Sequence, residues 1–231
     1  LIIGYNDQKQ AARMISIEKF VFNPFQVNTY VLYDETREAV IVDPGCSDGV
    51  ETLSLLDFLK QEGLKPVRML LTHTHVDHVV GCNALQEALQ LAPEGHRAGL
   101  VFLDHSTRTA ANYGISLERN PVLSGFFDEG DVLGFGNSGL EVLYTPGHAD
   151  GSVCFLNREQ KFVISGDVLF NMSIGRTDFP TGDFDLLKKN ITEKLFTLPD
   201  ETIVYPGHGP ETTIGFEKRN NPFLGGDDFM H

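Results

Sequence analysis

Thr72-His73-Thr74-His75-Val76-Asp77-His78 is the stretch that most limits what this chain can fold into, because it places three imidazoles and one carboxylate within six consecutive residues. Neutral imidazole and ionised carboxylate are the usual protein ligands for zinc and for borderline transition metals. The spacing suggests two ions rather than one. A polar turn whose histidines cap a helix and meet water is the alternative, and four ligand-type residues packed so closely weigh against it.

The flanks give the cluster a geometry. Val67-Arg68-Met69-Leu70-Leu71-Thr72 is a short apolar run that reads as a buried strand. Beyond the cluster, Leu85, Ala88, Leu89 and Leu91 recur at helical spacing, which predicts a helix over about residues 79–91. The cluster therefore occupies a turn from a strand's carboxyl end into a helix, where open α/β sheets hold their ligands. With an extended exit, His73 and His75 share a face and meet one ion, while Asp77 and His78 follow in the turn and face a second.

Three more turns repeat the pattern. Tyr144-Thr145-Pro146-Gly147-His148-Ala149-Asp150-Gly151 follows the strand-like Gly139-Leu140-Glu141-Val142-Leu143. Ser165-Gly166-Asp167 follows Lys161-Phe162-Val163-Ile164, and Tyr205-Pro206-Gly207-His208-Gly209 follows Glu201-Thr202-Ile203-Val204. Each is an apolar strand ending in a glycine-bearing turn with one candidate ligand at its tip. A single turn histidine is more often solvated than ligating. Together these turns supply the ligand number that a two-metal site requires.

With those residues in view, the chain resembles the metallo-β-lactamase-fold hydrolase superfamily and, within it, the glyoxalase II-like (hydroxyacylglutathione hydrolase-like) branch. The likeness is carried by His73 through His78, His148, Asp167 and His208, and by Gly175-Arg176-Thr177-Asp178-Phe179-Pro180. It continues from Tyr205 through Phe216 to Asn221-Pro222-Phe223, covering about residues 14–224. The resemblance implies an α/β (α+β) fold, a four-layer αββα sandwich in a single domain over residues 14–231. Periodicity alone gives only mixed α/β. The resemblance also implies that His73, His75 and His148 hold a first metal, that Asp77, His78 and His208 hold a second, and that Asp167 bridges them. No ligand position is substituted, which argues against a degenerate member. Two divalent ions are the implied cofactors, zinc foremost, with iron and manganese also suited to such ligands.

The chemistry follows from the ligands. A metal-bound water loses its proton at a pKa of about 7 rather than about 15.7, and two ions about 3.5–4 Å apart can share that hydroxide while polarising a carbonyl. Asp77 is the residue expected to orient the hydroxide as it binds the second ion. A thiolate leaving group needs little protonation, so a site without a spare acid suits a thioester, glutathione-derived thioesters among them. Asp43, which ends Ile41-Val42-Asp43, and Asp150 are candidates to orient ligating imidazoles. The competing reading is that they simply complete tight turns.

Full glyoxalase II proteins carry a C-terminal helical domain whose basic residues help hold glutathione. This sequence stops shortly after Phe223, so that domain is expected to be absent. Arg176 is the candidate substrate contact, its guanidinium suited to a carboxylate, with Lys218 and Arg219 as further anion contacts. An Arg176 tied to Asp178 or Asp183 to order its loop is the alternative. Two other functional classes stand beside the thioester hydrolase. One is a mononuclear iron persulfide dioxygenase-like oxidoreductase using His73, His148 and Asp167. The other is a non-catalytic metal-binding protein.

Composition narrows the partners. A net charge of −14 argues against nucleic acid and anionic membranes, though bound divalent ions still allow an anionic small-molecule substrate. No apolar run reaches transmembrane length, and Leu1-Ile2-Ile3 is too short for a signal's hydrophobic region. Cys46, Cys82 and Cys154 form neither a Cys-x-x-Cys pair nor a disulfide framework, so the cytoplasm is the expected compartment. Residues 1–13 are unpatterned and read as a flexible extension or a start-site artefact. Oligomeric state is left open.

Further elements are expected as follows. Strands are predicted over residues 14–22, 27–33 and 39–42, and one more near Leu100-Val101-Phe102-Leu103. Val50, Leu53, Leu56 and Leu59 predict an amphipathic helix, and Asp183 an N-cap for a helix through Phe196.

Overall fold

Several strands are apolar on both faces, which is what a sheet covered on both sides demands. In the computed structural model, which describes residues 14–225, two six-stranded sheets stack face to face. The first runs β1 (Ser16–Phe22), β2 (Val27–Tyr33), β3 (Glu38–Val42), β4 (Lys65–Leu70), β5 (Pro93–Gly95) and β6 (Gly125–Phe126), in that order. After it come β7 (Val132–Phe135), β8 (Ser138–Tyr144), β9 (Val153–Asn157), β10 (Phe162–Gly166), the hairpin β11 (Leu169–Phe170) and β12 (Ser173–Ile174), then β13 (Ile203–Pro206) and β14 (Thr212–Thr213). The second sheet is ordered β14-β13-β10-β9-β8-β7. Both sheets are mixed: β3 pairs parallel with β4, and β10 parallel with β13.

Period-2 alternation divides the side chains between layers. Tyr30, Leu32, Val40, Val42 and Leu70 point inward and meet Val142, Phe155 and Ile164 of the opposite sheet. Val31, Ala39, Ile41 and Met69 point outward, against Leu55 and Leu59 of the helix Gly49–Gln61 and Leu85 of the helix Cys82–Leu89. On the far side Cys154, Leu156, Val163 and Val204 pack on Leu187, Ile191 and Ile214 from the helices that follow. The result is the expected αββα sandwich in one domain. The expectation for residues 1–13 falls outside the described residues. Among the described residues no helix is long and apolar enough to cross a membrane.

Local signals held where caps were strong. Asp183 accepts a hydrogen bond from the Leu186 amide and starts the helix Phe184–Asn190, which runs on as a π-helical turn over Ile191–Leu195. Three expectations need correction. The run Leu100–Leu103 is a helical turn, not a strand. A four-residue apolar run has no decisive period, and a 3₁₀ turn at Arg97–Gly99, entered from His96, leads directly into it. The segment after the histidine cluster is two helices, Val76–Val79 and Cys82–Leu89, with Gly81 between them pressed against the Pro44–Cys46 loop. In the helix Gly49–Gln61, the buried stripe is Leu55 and Leu59, while Val50 and Leu53 face solvent at 78% and 60% exposure. Leu55→Ala is therefore expected to cost about 2–5 kcal/mol in urea unfolding, and Leu53→Ala within about 0.5 kcal/mol; the reverse ranking would restore the original stripe.

Candidate metal centre

Four strands of the sandwich end at one edge, and each hands a polar side chain to the same place. β4 leads into His73, β8 into His148, β10 into Asp167 and β13 into His208. The two sheets are tied together there. The Asn28 amide of β2 donates to the Gly207 carbonyl at 2.7 Å. The Asn28 side chain donates to the carbonyls of Pro206 and Gly209, both at 2.9 Å, and the Tyr30 hydroxyl to Pro206 at 2.7 Å. The first sheet thus fixes the His208 turn of the second. Neither Asn28 nor Tyr30 was singled out from sequence, where each is one more polar or aromatic residue in a strand.

Two triads converge at this edge, His73–His75–His148 and Asp77–His78–His208, each with ligand atoms within 4.8 Å of one another. Asp167 lies between them. Its Oδ1 is 3.4 Å from His78 Nε2, and its Oδ2 is 3.6 Å from His148 Nε2 and 3.5 Å from His208 Nε2. Asp77 Oδ2 stands 3.4 Å from His208 Nε2 and 3.7 Å from His78 Nε2. These separations are too long for good hydrogen bonds. All seven residues expected from sequence are brought together.

The imidazoles are oriented from behind. His78 Nδ1 donates to Asp43 Oδ2 at 3.0 Å, His148 Nδ1 to the Arg176 carbonyl at 2.7 Å, and His208 Nδ1 to the Phe25 carbonyl at 3.0 Å. Thr72 Oγ1 donates to Asp43 Oδ2 at 2.6 Å, which leaves it to accept from His73 Nδ1 at 3.2 Å. Four Nδ1 protons committed in this way turn four Nε2 atoms toward the centre. His75 Nδ1 and His148 Nε2 approach to 2.9 Å, aimed at a common point. His73 Nε2, His78 Nε2 and Asp167 Oδ1 are buried and have no hydrogen-bond partner. Buried polar atoms are rarely left so, and cations between the triads would satisfy all three. The donor set fits a metal pair.

Asp43 orients one imidazole from each triad, as Asp at its position was expected to do. It adopts φ 51°, and its Oδ1 also accepts the Thr72 amide at 2.7 Å. Asp150 does not share this role: its amide donates to Thr181 Oγ1, and among the described residues its carboxylate reaches no ligating imidazole. Arg176 turns its guanidinium onto Asp178, at 2.9 and 2.7 Å, so the loop-ordering alternative describes its side chain while its carbonyl serves His148. Lys218 and Arg219 pair with Asp200 rather than reaching the cleft. The hairpin β11–β12 is held by fully buried Glu217, which accepts from Thr212 Oγ1, Asn221 Nδ2 and the Met172 amide.

Charge is divided unequally. Burial pushes the His75 pKa down to about 4, with the His148 ring adding to the effect, and holds His73 well below the ordinary range. Burial opposes charge on His208 too, but Asp167 and Asp77 outweigh it and lift the pKa to about 9. His78 is raised well above its ordinary value because Asp167, Asp77 and Asp43 overcome its burial. Burial would raise Asp167, yet His78 foremost holds it well below the usual carboxylate range.

Glycine at 207 is dictated by this crowding, since a Cβ there would press on Asp167 Oδ1 and His78 Cε1. Around the centre opens a cavity of about 610 Å³, whose walls include Phe25, Phe102, Tyr113, Phe170 and Phe179. Sequence reading missed these rings, because they come from segments far apart in the chain with no shared periodicity.

The comparisons with known proteins agree with this geometry. The model of the metallo-beta-lactamase superfamily matches residues 22–208. A hydroxyacylglutathione hydrolase, GloC, from Haemophilus influenzae is 36% identical over 212 residues, covering 91% of this chain and 98% of that protein. Among solved structures, TTHA1623 in a di-iron-bound form superimposes with a TM-score of 0.81 at 39% identity, covering 90% of this chain and 100% of that one. The BLEG-1 B3 metallo-beta-lactamase has the same TM-score at 37% identity, covering 91% and 100%.

Two outcomes are expected of the centre. Asp43→Asn tolerates the left-handed backbone but loses charge-assisted acceptors to His78 and Thr72. Metal affinity should fall about 10- to 100-fold with the circular dichroism unchanged; unaltered affinity would deny Asp43 this role. In chelated protein, the stability from His208 is present below its ordinary 6.5 and is lost as pH rises through about 9. His75, lowered to about 4, costs stability as pH falls below 6.5, because the unfolded chain takes up that proton first. The Tm of metal-free protein should therefore peak near pH 6.5, and the Tm gain on adding zinc should grow from pH 6.5 to 9 as metal displaces protons from His208 and His78.

Proposed function

The chain belongs to the metallo-beta-lactamase superfamily, and from that premise we propose that it is a two-metal hydrolase of thioesters, with glutathione-derived thioesters the first to test. The observation that carries this reading is the position of Asp167 between two complete triads. In this reading His73, His75 and His148 hold one ion, Asp77, His78 and His208 the other, and Asp167 reaches both. Two divalent ions held there supply a water that is acidic near neutral pH and a charge that polarises a carbonyl oxygen. Zinc and iron both suit the donor set, and the di-iron form of TTHA1623 supports keeping iron in the test.

The chain's own residues do the rest. In this reading Asp77, which borders the cavity, accepts the hydrogen bond that orients the attacking water. Phe102 packs edge-on against His75 at 4.8 Å and Phe179 at 5.6 Å, which keeps bulk water from that imidazole. In this reading every imidazole and carboxylate among the described lining residues is spent on metal, so none is left as an acid to aid a poor leaving group. A thiolate departs without one, so the donor inventory favours a thioester over an amide. The similarity to the hydroxyacylglutathione hydrolase of Haemophilus influenzae points the same way. The mononuclear oxygenase alternative would leave Asp77, His78 and His208 without a role, and their convergence on Asp167 supports two ions. Three buried, free cysteines accord with a reducing cytoplasm.

The test is S-lactoylglutathione hydrolysis by zinc- or iron-loaded protein, followed as loss of thioester absorbance. Turnover abolished by chelation and restored by metal is expected; its absence in fully metallated protein would move the substrate away from lactoylglutathione, and its absence with every glutathione thioester offered would reject the reading. Asp167→Ala should lose metal and most activity together; full occupancy with near-normal turnover in that variant would remove Asp167 from the bridging position.

A further inference from the structure

The walls of the cleft carry a second message. Five aromatic rings from five separate segments line it: Phe25 from the β1–β2 turn, Phe102 from the helical turn Leu100–Leu103, Tyr113 from the end of the helix Ser106–Asn112, Phe170 from β11, and Phe179. Three stand directly over the candidate ligands. Phe102 is 4.8 Å from the His75 ring, Phe179 is 5.6 Å from His75 and 6.4 Å from His148, and Phe170 is 6.2 Å from His208. Phe25 and Tyr113 touch edge to face at 5.2 Å, and both are substantially exposed, at 37% and 53%.

The walls offer no unpaired positive side chain among the described residues. Arg176 is the one lysine or arginine among the described lining residues, and its guanidinium is held by both oxygens of Asp178 and lies 4.2 Å from the centre of the Phe179 ring. Releasing it for a substrate carboxylate would forfeit a bidentate pair. Side by side, the metal pair and the rings describe a carbonyl site walled by apolar surface.

Resting on the thioester-hydrolase reading, we propose that the substrate's acyl arm is uncharged and apolar, of aryl or medium alkyl size, and is held between Phe102 and Phe179. Water-soluble carrier thiols bear charges and amides that need water or a free cation. The cleft offers them its open mouth at Phe25 and Tyr113, not its inner wall. Both arms are bonded to the scissile carbonyl, and with the charged thiol arm at the mouth the rings over His75 and His148 are left to the acyl arm. An arm of aryl or alkyl size fits a cavity of about 610 Å³ and gains from leaving water.

The experiment keeps the leaving thiol constant and varies the acyl arm. Lactoyl-, hexanoyl- and phenylacetylglutathione are compared as thioesters by kcat/KM on metal-loaded protein. Hexanoyl and phenylacetyl arms should exceed lactoyl by about tenfold or more, chiefly through KM. Phe102→Ala and Phe179→Ala, assayed with metal content measured in parallel, should bring that preference close to one. A lactoyl arm handled as well as or better than the others overturns the apolar arm while leaving thioester hydrolysis intact, and the wild-type series decides this even where a variant loses metal. No turnover of any of the three overturns the thioester reading itself. Ligand-observed NMR with phenylacetate and lactate then judges the cleft: tighter phenylacetate binding that Phe102→Ala weakens supports the apolar wall, and equal binding rejects it.

Discussion

A carboxylate buried at the seam between two sheets, Asp167, is the constraint to which the rest of the molecule answers. Its side chain is 12% exposed, and one oxygen has no hydrogen-bond partner. Removing such a charge from water is costly unless opposite charge surrounds it. The surroundings are imidazoles delivered by both sheets: His78 from the first, His148 and His208 from the second. Parallel pairing of β10 with β13 sends Asp167 and His208 out of the same end of their sheet. The Asn28 and Tyr30 hydrogen bonds then bring that end onto the first sheet. The sandwich and the centre are thus one arrangement.

Asp43 shows how far back from the centre this organisation extends. One carboxylate sets His78 directly and His73 through Thr72, so an imidazole of each triad is aimed by the same residue. The triads remain electrostatically distinct. His73 and His75 are held neutral by burial, which outweighs the pull of Asp167 and Asp77, whereas at His78 and His208 the carboxylates outweigh burial and favour a proton. Metal entering the first triad meets lone pairs already free, and metal entering the second must displace protons.

Reactivity and selectivity fall on different parts of the fold. The candidate ligands sit in the turns that follow strand ends. The aromatic walls come from turns, short helices and the β11–β12 hairpin, and two of these segments also reach the centre, since the Phe25 and Arg176 carbonyls accept from His208 and His148. Buried Glu217 supports the walls from behind by pinning the hairpin that carries Phe170.

The sequence determined which residues are candidate ligands. Imidazoles and carboxylates at glycine-bearing turns after apolar strands are a local pattern, so His73 through His78, His148, Asp167 and His208 were all legible before any coordinates. Strands β1 to β4 of the first sheet were legible from their apolar patterns, as was the Asp183 cap, whereas the short β5 and β6 were not. Where a local pattern was short or degenerate, tertiary packing decided. Leu100–Leu103 had no period to choose helix over strand, and the Gly49–Gln61 helix carried more apolar residues than one face could bury, so contact with the sheet selected Leu55 and Leu59. The pairing of Arg176 with Asp178, the silence of Asp150 and the ring-lined cleft likewise belong to the folded state alone. Each depends on which distant segments meet, and distance in space is the quantity a linear pattern does not carry.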